Sequence, residues 1–199
     1  MNFRSKQTWA FIGLLLFMLV GVAVGGWLHW KAEKPVRAVL DHDLTGLSRL
    51  ISKDKDLVRR EYCGEKARCW TLLQLAAANR DADALAILLK AGANPNQKGN
   101  NSDSALHAAV GYDCVPCVEI LVQHGAEVNS RDGLGRTPLY SAIGNPAMVE
   151  RLLRAGADCN VRDGTGATAF DFAKQFGAAS SVALISNGCF QTMSAGFTP

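Results

Sequence analysis

Hydrophobic residues are distributed along this chain in two different ways. From Trp9 to Leu28 every residue is Trp, Ala, Phe, Ile, Leu, Met, Val or Gly, and no charged side chain occurs between Thr8 and Trp30. At about 1.5 Å per residue, a helix of that length crosses a hydrocarbon core of about 30 Å. Beyond it the apolar positions become periodic. Leu85, Leu88 and Leu89 recur at three- and four-residue spacing, as do Val118, Leu121 and Val122, then Val149, Leu152 and Leu153. This spacing predicts amphipathic helices with one buried face. Val39, Leu40, Leu44, Leu47, Leu50 and Ile51 form a similar stripe nearer the N-terminus. Between these helices lie shorter apolar segments in which Leu73, Leu106, Leu139 and Phe170 are each followed three residues later by an alanine. A large plug followed by a small residue lets a helix pack closely on its neighbour. A glycine then follows each longer helix, where a left-handed C-cap would stop it.

These elements recur in register. LLKAGANPN (88–96) returns as LVQHGAEVN (121–129), as LLRAGADCN (152–160) and faintly as LISNGCF (184–190). Their glycines Gly92, Gly125, Gly156 and Gly188 are 33, 31 and 32 residues apart. A second phrase keeps step: TLLQLAA from Thr71, SALHAAV from Ser104, TPLYSAI from Thr137 and TAFDFAK from Thr168. On these motifs the chain resembles the ankyrin-repeat family over about residues 34–190. The resemblance implies an all-α solenoid of helix-turn-helix units carrying β-turn fingers. One transmembrane helix is expected to precede it.

The expected division is a short basic N-terminus (1–8), a membrane signal anchor (9–30) and a degenerate capping repeat (31–57). A cysteine-containing insert (58–70) overlaps the first of three repeats (66–98, 99–131 and 132–162). A capping repeat (163–190) and a flexible tail (191–199) complete the chain. Ser180, Ser181, Ser186 and Asn187 suggest the polar outer surface of the C-terminal cap. The third repeat is two residues shorter than the second at the helix reversal, with Gly144-Asn145-Pro146 in place of GYDCVPC. A reversal tolerates such a change because it lies outside the core.

Trp9, Trp27 and Trp30 stand at the two ends of the apolar run, where amphipathic rings favour the membrane interface. Arg4 and Lys6 precede the run, while Ala23-Val24-Gly25 is a weak cleavage signal, so an uncleaved anchor is favoured over a cleaved signal peptide. Flanking charge leaves orientation nearly balanced. The cysteines carry more weight: all six lie in the repeat region, and an even number behind an export signal suggests an oxidising compartment. The repeats are therefore expected outside the cytosol, in the periplasm of a bacterial cell. A cytosol-facing scaffold is the reverse topology. Omitting the first thirty residues leaves 19 basic against 18 acidic side chains, which provides no footprint for nucleic acid.

Cys114-Val-Pro-Cys117 reads as a local staple or as a thiol-exchange pair. The latter normally needs a βαβ setting, and no such pattern occurs here. Cys63 and Cys69 bracket a short charged loop. Cys159 and Cys189 follow glycines of adjacent units and would lie side by side. The expected pairing is therefore 63–69, 114–117 and 159–189. His29, His42, His107 and His124 are scattered away from metal spacing, so no metal or cofactor is expected. No G-x-S-x-G elbow or positioned triad is evident, and neither catalysis nor a small-molecule substrate is expected.

The family resemblance implies that His107 bonds backbone between repeats and that Asn96, Asn129 and Asn160 bond local backbone. It also implies that another protein binds the concave face and finger tips. By register the finger-tip candidates are Asn100, Asn101, Asp103, Leu134 and Arg136, with Asn79, Tyr112 and Asn145 at the ends of first helices. Tyr112, Leu134 and Arg136 have the chemistry of interface hot spots. A bacterial-type exported protein of this kind would suit an immunity protein that blocks a toxin, or a factor that protects an enzyme. The different-class alternative is a thiol-disulfide oxidoreductase using Cys114 and Cys117.

Overall fold

The computed structural model describes residues 33–63, 69–100 and 102–195, with side chains as far as Gly188. The expected anchor at 9–30 lies outside them. Among the described residues no helix is long and apolar enough to cross a membrane.

Helix pairs follow one another through the chain: α1 (Lys34–Leu40) with α2 (Leu44–Lys53), α3 (Leu72–Ala78) with α4 (Ala82–Lys90), and α5 (Ala105–Gly111) with α6 (Val115–Gln123). Next come α7 (Pro138–Ser141) with α8 (Pro146–Arg154), and α9 (Ala169–Gln175) with α10 (Ala179–Ala195). A 3-10 turn (Lys55–Arg59) follows α2. The insert then forms a feature absent from the all-α expectation, an antiparallel ribbon of β1 (Glu61–Cys63) and β2 (Cys69–Thr71). Its register sets Tyr62 opposite Trp70 and Cys63 opposite Cys69. Tyr62 is buried and fixes the ribbon against the stack.

Local chemistry explains why each pair has the same shape. The first helices α3, α5 and α9 open with reciprocal capping boxes, Thr71 with Gln74, Ser104 with His107 and Thr168 with Asp171. Reversal into the second helix uses one left-handed residue: His42 (φ 55°), Arg80 (59°), Asp113 (58°) and Gly177 (69°). The next residue commonly caps the second helix. Asp43 and Asp81, and Asn145 in the shortened third reversal, accept backbone N–H groups from Gly46, Ala84 and Met148. Cys114 takes that place in α6, its Sγ accepting the Cys117 N–H at 3.2 Å.

Gly92, Gly125 and Gly156 have φ of 91°, 82° and 90° and end their helices as expected. Gly188 departs from the series. It lies inside α10, and a Cβ there would stand 2.9 Å from Leu153 Cδ1. The recurrence at this site reflects close helix approach, and α10 continues through residues 191–195 where a flexible tail was expected. Ser181 also differs from the polar-surface reading. It is buried, and its hydroxyl donates to the Ile143 carbonyl at 2.6 Å.

The core is a continuous column that includes Leu47, Leu73, Leu85, Leu106, Leu121, Leu139 and Leu152, all essentially buried. Ala76, Ala109, Ala142 and Ala173 are buried between helices, so the alanine spacing does mark close packing. Polar rungs join successive repeats. Gln74 Nε2 donates to the Asp103 carbonyl at 2.6 Å, His107 Nε2 lies 3.2 Å from the Arg136 carbonyl, and the Tyr140 hydroxyl donates to the Ala167 carbonyl. Asn96 and Asn129 form a second row, and here the expected local bonding is corrected. Asn96 donates to Gly125 O and accepts from Glu127 N, while Asn129 donates to Gly156 O and accepts from Asp158 N. Each amide spans the gap to the next repeat, where two backbone groups would otherwise lack a protein partner.

Candidate protein-binding surface

The third and fourth fingers are built alike. Asp132 Oδ1 accepts the N–H groups of Leu134 and Arg136, both at 2.8 Å. Asp163 Oδ1 likewise accepts from Thr165 and Ala167. The Thr165 hydroxyl bond is the main reason the Asp163 carboxyl stays below its ordinary range. The tips touch through Gly164 N–H, which donates to Leu134 O at 2.8 Å. Gly135 at φ 76° and Gly164 permit this approach, because a Cβ on either would lie about 3 Å from the opposing backbone.

Turned outward by this turn, Leu134 is 57% exposed. It lines a groove of about 600 Å³ together with Arg136, Asp163, Thr165, Phe172 and Gln175. Phe172 packs at a tilt between buried Tyr140 (5.9 Å between centroids) and Phe176 (4.4 Å). Phe176 is 64% exposed. Leu134, Phe172 and Phe176 thus make an apolar path from a finger tip to the end of α9. Tyr112 is the remaining large apolar side chain exposed among the described residues.

Other candidates have work inside the fold. Asn79 donates to the carbonyls of Val39 and Leu40 at 3.2 and 3.4 Å, tying repeat 1 to the N-terminal cap. Asn100 Oδ1 accepts the Cys69 N–H at 3.0 Å and holds the ribbon. Asp103 is half-buried and its carbonyl receives Gln74. Arg136 is half-buried at the groove edge, and its carbonyl receives His107. Burial pushes the His107 imidazole below its ordinary pKa, which suits a neutral ring that accepts at Nδ1 from Ser104 N–H and donates at Nε2. Asn101 lies outside the described residues.

Asn145 occupies a different register from the one expected. It caps α8 and its Nδ2 donates to Asp113 Oδ1 at 2.6 Å. It is therefore the counterpart of Asp81 and Cys114, not of Asn79 and Tyr112. The two residues missing from the third repeat are those two reversal positions. Counting past the deletion places Phe176 level with Asn79 and Tyr112. That register step was the signal by which the sequence could have disclosed Phe176.

Cys63–Cys69 and Cys114–Cys117 are disulfides, Cys159 is also disulfide-bonded, and no free cysteine occurs among the described residues. The Cys189 side chain lies outside them. Cys114 and Cys117 are 2% and 0% exposed, which gives an incoming thiolate little access. The ligand atoms of His42, Asp81 and Asp83 lie within 4.8 Å of one another. Asp81 already divides its oxygens between the Ala84 N–H and His42. The Asp113–Asn145 contact repeats that link from a left-handed residue to the next repeat's cap, so the His42 group reads as architecture.

A family model described as ankyrin repeats, in three copies, matches residues 36–132 and 73–163. This chain belongs to the ankyrin-repeat family. Among similar proteins, a putative ankyrin repeat protein of fowlpox virus, FPV034, is 32% identical over 109 residues, covering 55% of this chain and 24% of that protein. Protein PhlB of Serratia liquefaciens is 36% identical over 108 residues, 54% of this chain and 45% of its own length. A glycerophosphocholine phosphodiesterase of Schizosaccharomyces pombe, gde1, is 45% identical over 56 residues, 28% of this chain and 5% of the enzyme. The matches thus span less than half of these relatives' own lengths. Ankyrin repeats are protein–protein interaction modules, and the family is generally non-catalytic.

Proposed function

We propose that this ankyrin-repeat chain is held in a membrane by residues 9–30, with its repeats outside the cytosol, and that it captures another protein there. The observation that carries the binding surface is the path from Leu134 through Phe172 to Phe176. Leu134 lines the groove and Phe176 packs against its Phe172; both are more than half exposed, an arrangement typical of interface anchors. Tyr112 and Arg136 extend this surface, and Asn79, Asn100 and Asn145 are assigned to the scaffold. The bonded cysteines support an oxidising compartment. The partner is a periplasmic or secreted protein, with this chain acting as its inhibitor, immunity factor or protector. Burial of Cys114 and Cys117 disfavours the oxidoreductase reading.

A photocrosslinking residue placed at Leu134 in the full chain, expressed in its own cell, would capture the partner for identification. Leu134→Ala with Phe176→Ala should then weaken its binding at least tenfold, at about 1.4 kcal/mol per factor of ten. Unchanged affinity in a folded variant would reject the surface. A C-terminal reporter active only in the cytosol would reject the topology.

A further inference from the structure

Positive charge is concentrated at the start of the domain. Residues 31–60 contain eight basic and five acidic side chains, whereas residues 61–199 contain eleven basic and thirteen acidic ones. The structure brings the early bases to the surface. On α2, Leu47 and Ile51 face the core. Arg49 and Lys53, one turn apart on the opposite side, are exposed. Lys55 and Arg59 continue the exposed series along the 3-10 turn, whose Leu57 and Val58 point inward. Of the nearby acids, Asp56 is exposed on the same turn, and the other two have local partners. Asp43 accepts from Gly46 N–H and the Thr45 hydroxyl, and Asp54 pairs with Arg60 at 2.7 Å.

Chain geometry keeps this basic surface near the membrane. Only residues 31–33 separate the expected anchor from α1, and three residues extend to about 11 Å at most. Electrostatic attraction between exposed groups persists over a Debye length of about 8 Å at physiological salt. The start of the capping repeat is thus tethered within about 11 Å of the anchor's end, close to the headgroups, whose anionic members attract lysine and arginine.

We infer that the N-terminal capping repeat docks on anionic phospholipid headgroups through Arg49, Lys53, Lys55 and Arg59. This rests on the membrane anchor proposed above. Docking orients the stack on the bilayer, because a rigid solenoid held at its first repeat by both anchor and charge cannot swing freely.

The test uses the full chain in lipid nanodiscs made either of phosphatidylcholine alone or with about one-third phosphatidylglycerol. Acylation of exposed lysines is read by mass spectrometry, with Lys90 as the internal reference. Labelling of Lys53 and Lys55 relative to Lys90 should fall about threefold in the anionic discs and recover in about 0.5 M salt. Arg49→Glu with Arg59→Glu should abolish the difference while circular dichroism stays unchanged. Equal labelling in both disc types, with the chain co-eluting with discs, overturns the docking and leaves the anchor standing. A chain that elutes apart from the discs overturns both.

Discussion

His42 shows how one residue can tie two repeats together and make the tie depend on pH. Its left-handed backbone (φ 55°) places Nδ1 2.6 Å from Asp81 Oδ2. Asp81 is buried, and its other oxygen caps α4. The Asp81 hydrogen bond, followed by its charge, raises the His42 pKa, and Asp83 adds in the same direction. Imidazolium is therefore favoured in the folded chain. Its contribution is complete below the unfolded value of about 6.5 and is lost as pH rises through the raised folded value. The gap in urea midpoint between the native chain and His42→Ala should be widest near pH 5.5 and narrow by about pH 8.5. A gap independent of pH would contradict this account. His42 was legible in sequence as a histidine without metal spacing, but its partner is 39 residues away. No local pattern links the two.

At the scale of the element, α6 differs from its counterparts in how it begins. Asp43, Asp81 and Asn145 cap α2, α4 and α8 with side-chain oxygens. Cys114 caps α6 with a sulfur that is also bonded to Cys117, the residue whose N–H it accepts. The disulfide thus closes a covalent ring around the first helical turn. Replacing both by alanine removes the cap and the crosslink together and should cost at least about 1 kcal/mol, read by chemical denaturation. Cys114→Asp with Cys117→Ala restores the capping chemistry of Asp81 and should recover about 1 kcal/mol of that loss. If the aspartate variant is no more stable than the double alanine, the sulfur's capping role is wrong. The two cysteines were evident as a reversal staple in sequence. Their equivalence to an aspartate became visible only when the left-handed residues aligned the reversals.

Across the whole molecule, stability accumulates between neighbouring repeats rather than within them. Tyr140 illustrates the coupling: its hydroxyl donates to Ala167 O and has Val161 O within 3.2 Å, joining α7 to the fourth finger. Tyr140→Phe should cost about 1 kcal/mol and speed hydrogen exchange in residues 161–167, with little change in the first repeat. Equal acceleration throughout would mean that the stack opens only as one unit. The plug position changes in the last described repeat. Phe170 holds the register of buried Leu73, Leu106 and Leu139 but is only partly buried, and the Lys174 ammonium lies 4.3 Å from its ring centroid. The lysine side chain thereby covers part of this partly exposed ring.

Sequence alone determined the repeat and its period, the plug and alanine positions and three of the four glycine caps. Those features depend on neighbours within a few residues, and periodicity exposes them. Tertiary structure decided the roles of Gly188, Ser181, Asn145 and Phe176. Each is set by what the adjacent repeat brings against it: Leu153 against Gly188, Ile143 against Ser181, Asp113 against Asn145, and, for Phe176, the two missing residues of the third repeat. Contacts about thirty residues apart leave no trace in a local pattern, yet they separate the side chains that hold the stack from those left to meet a partner.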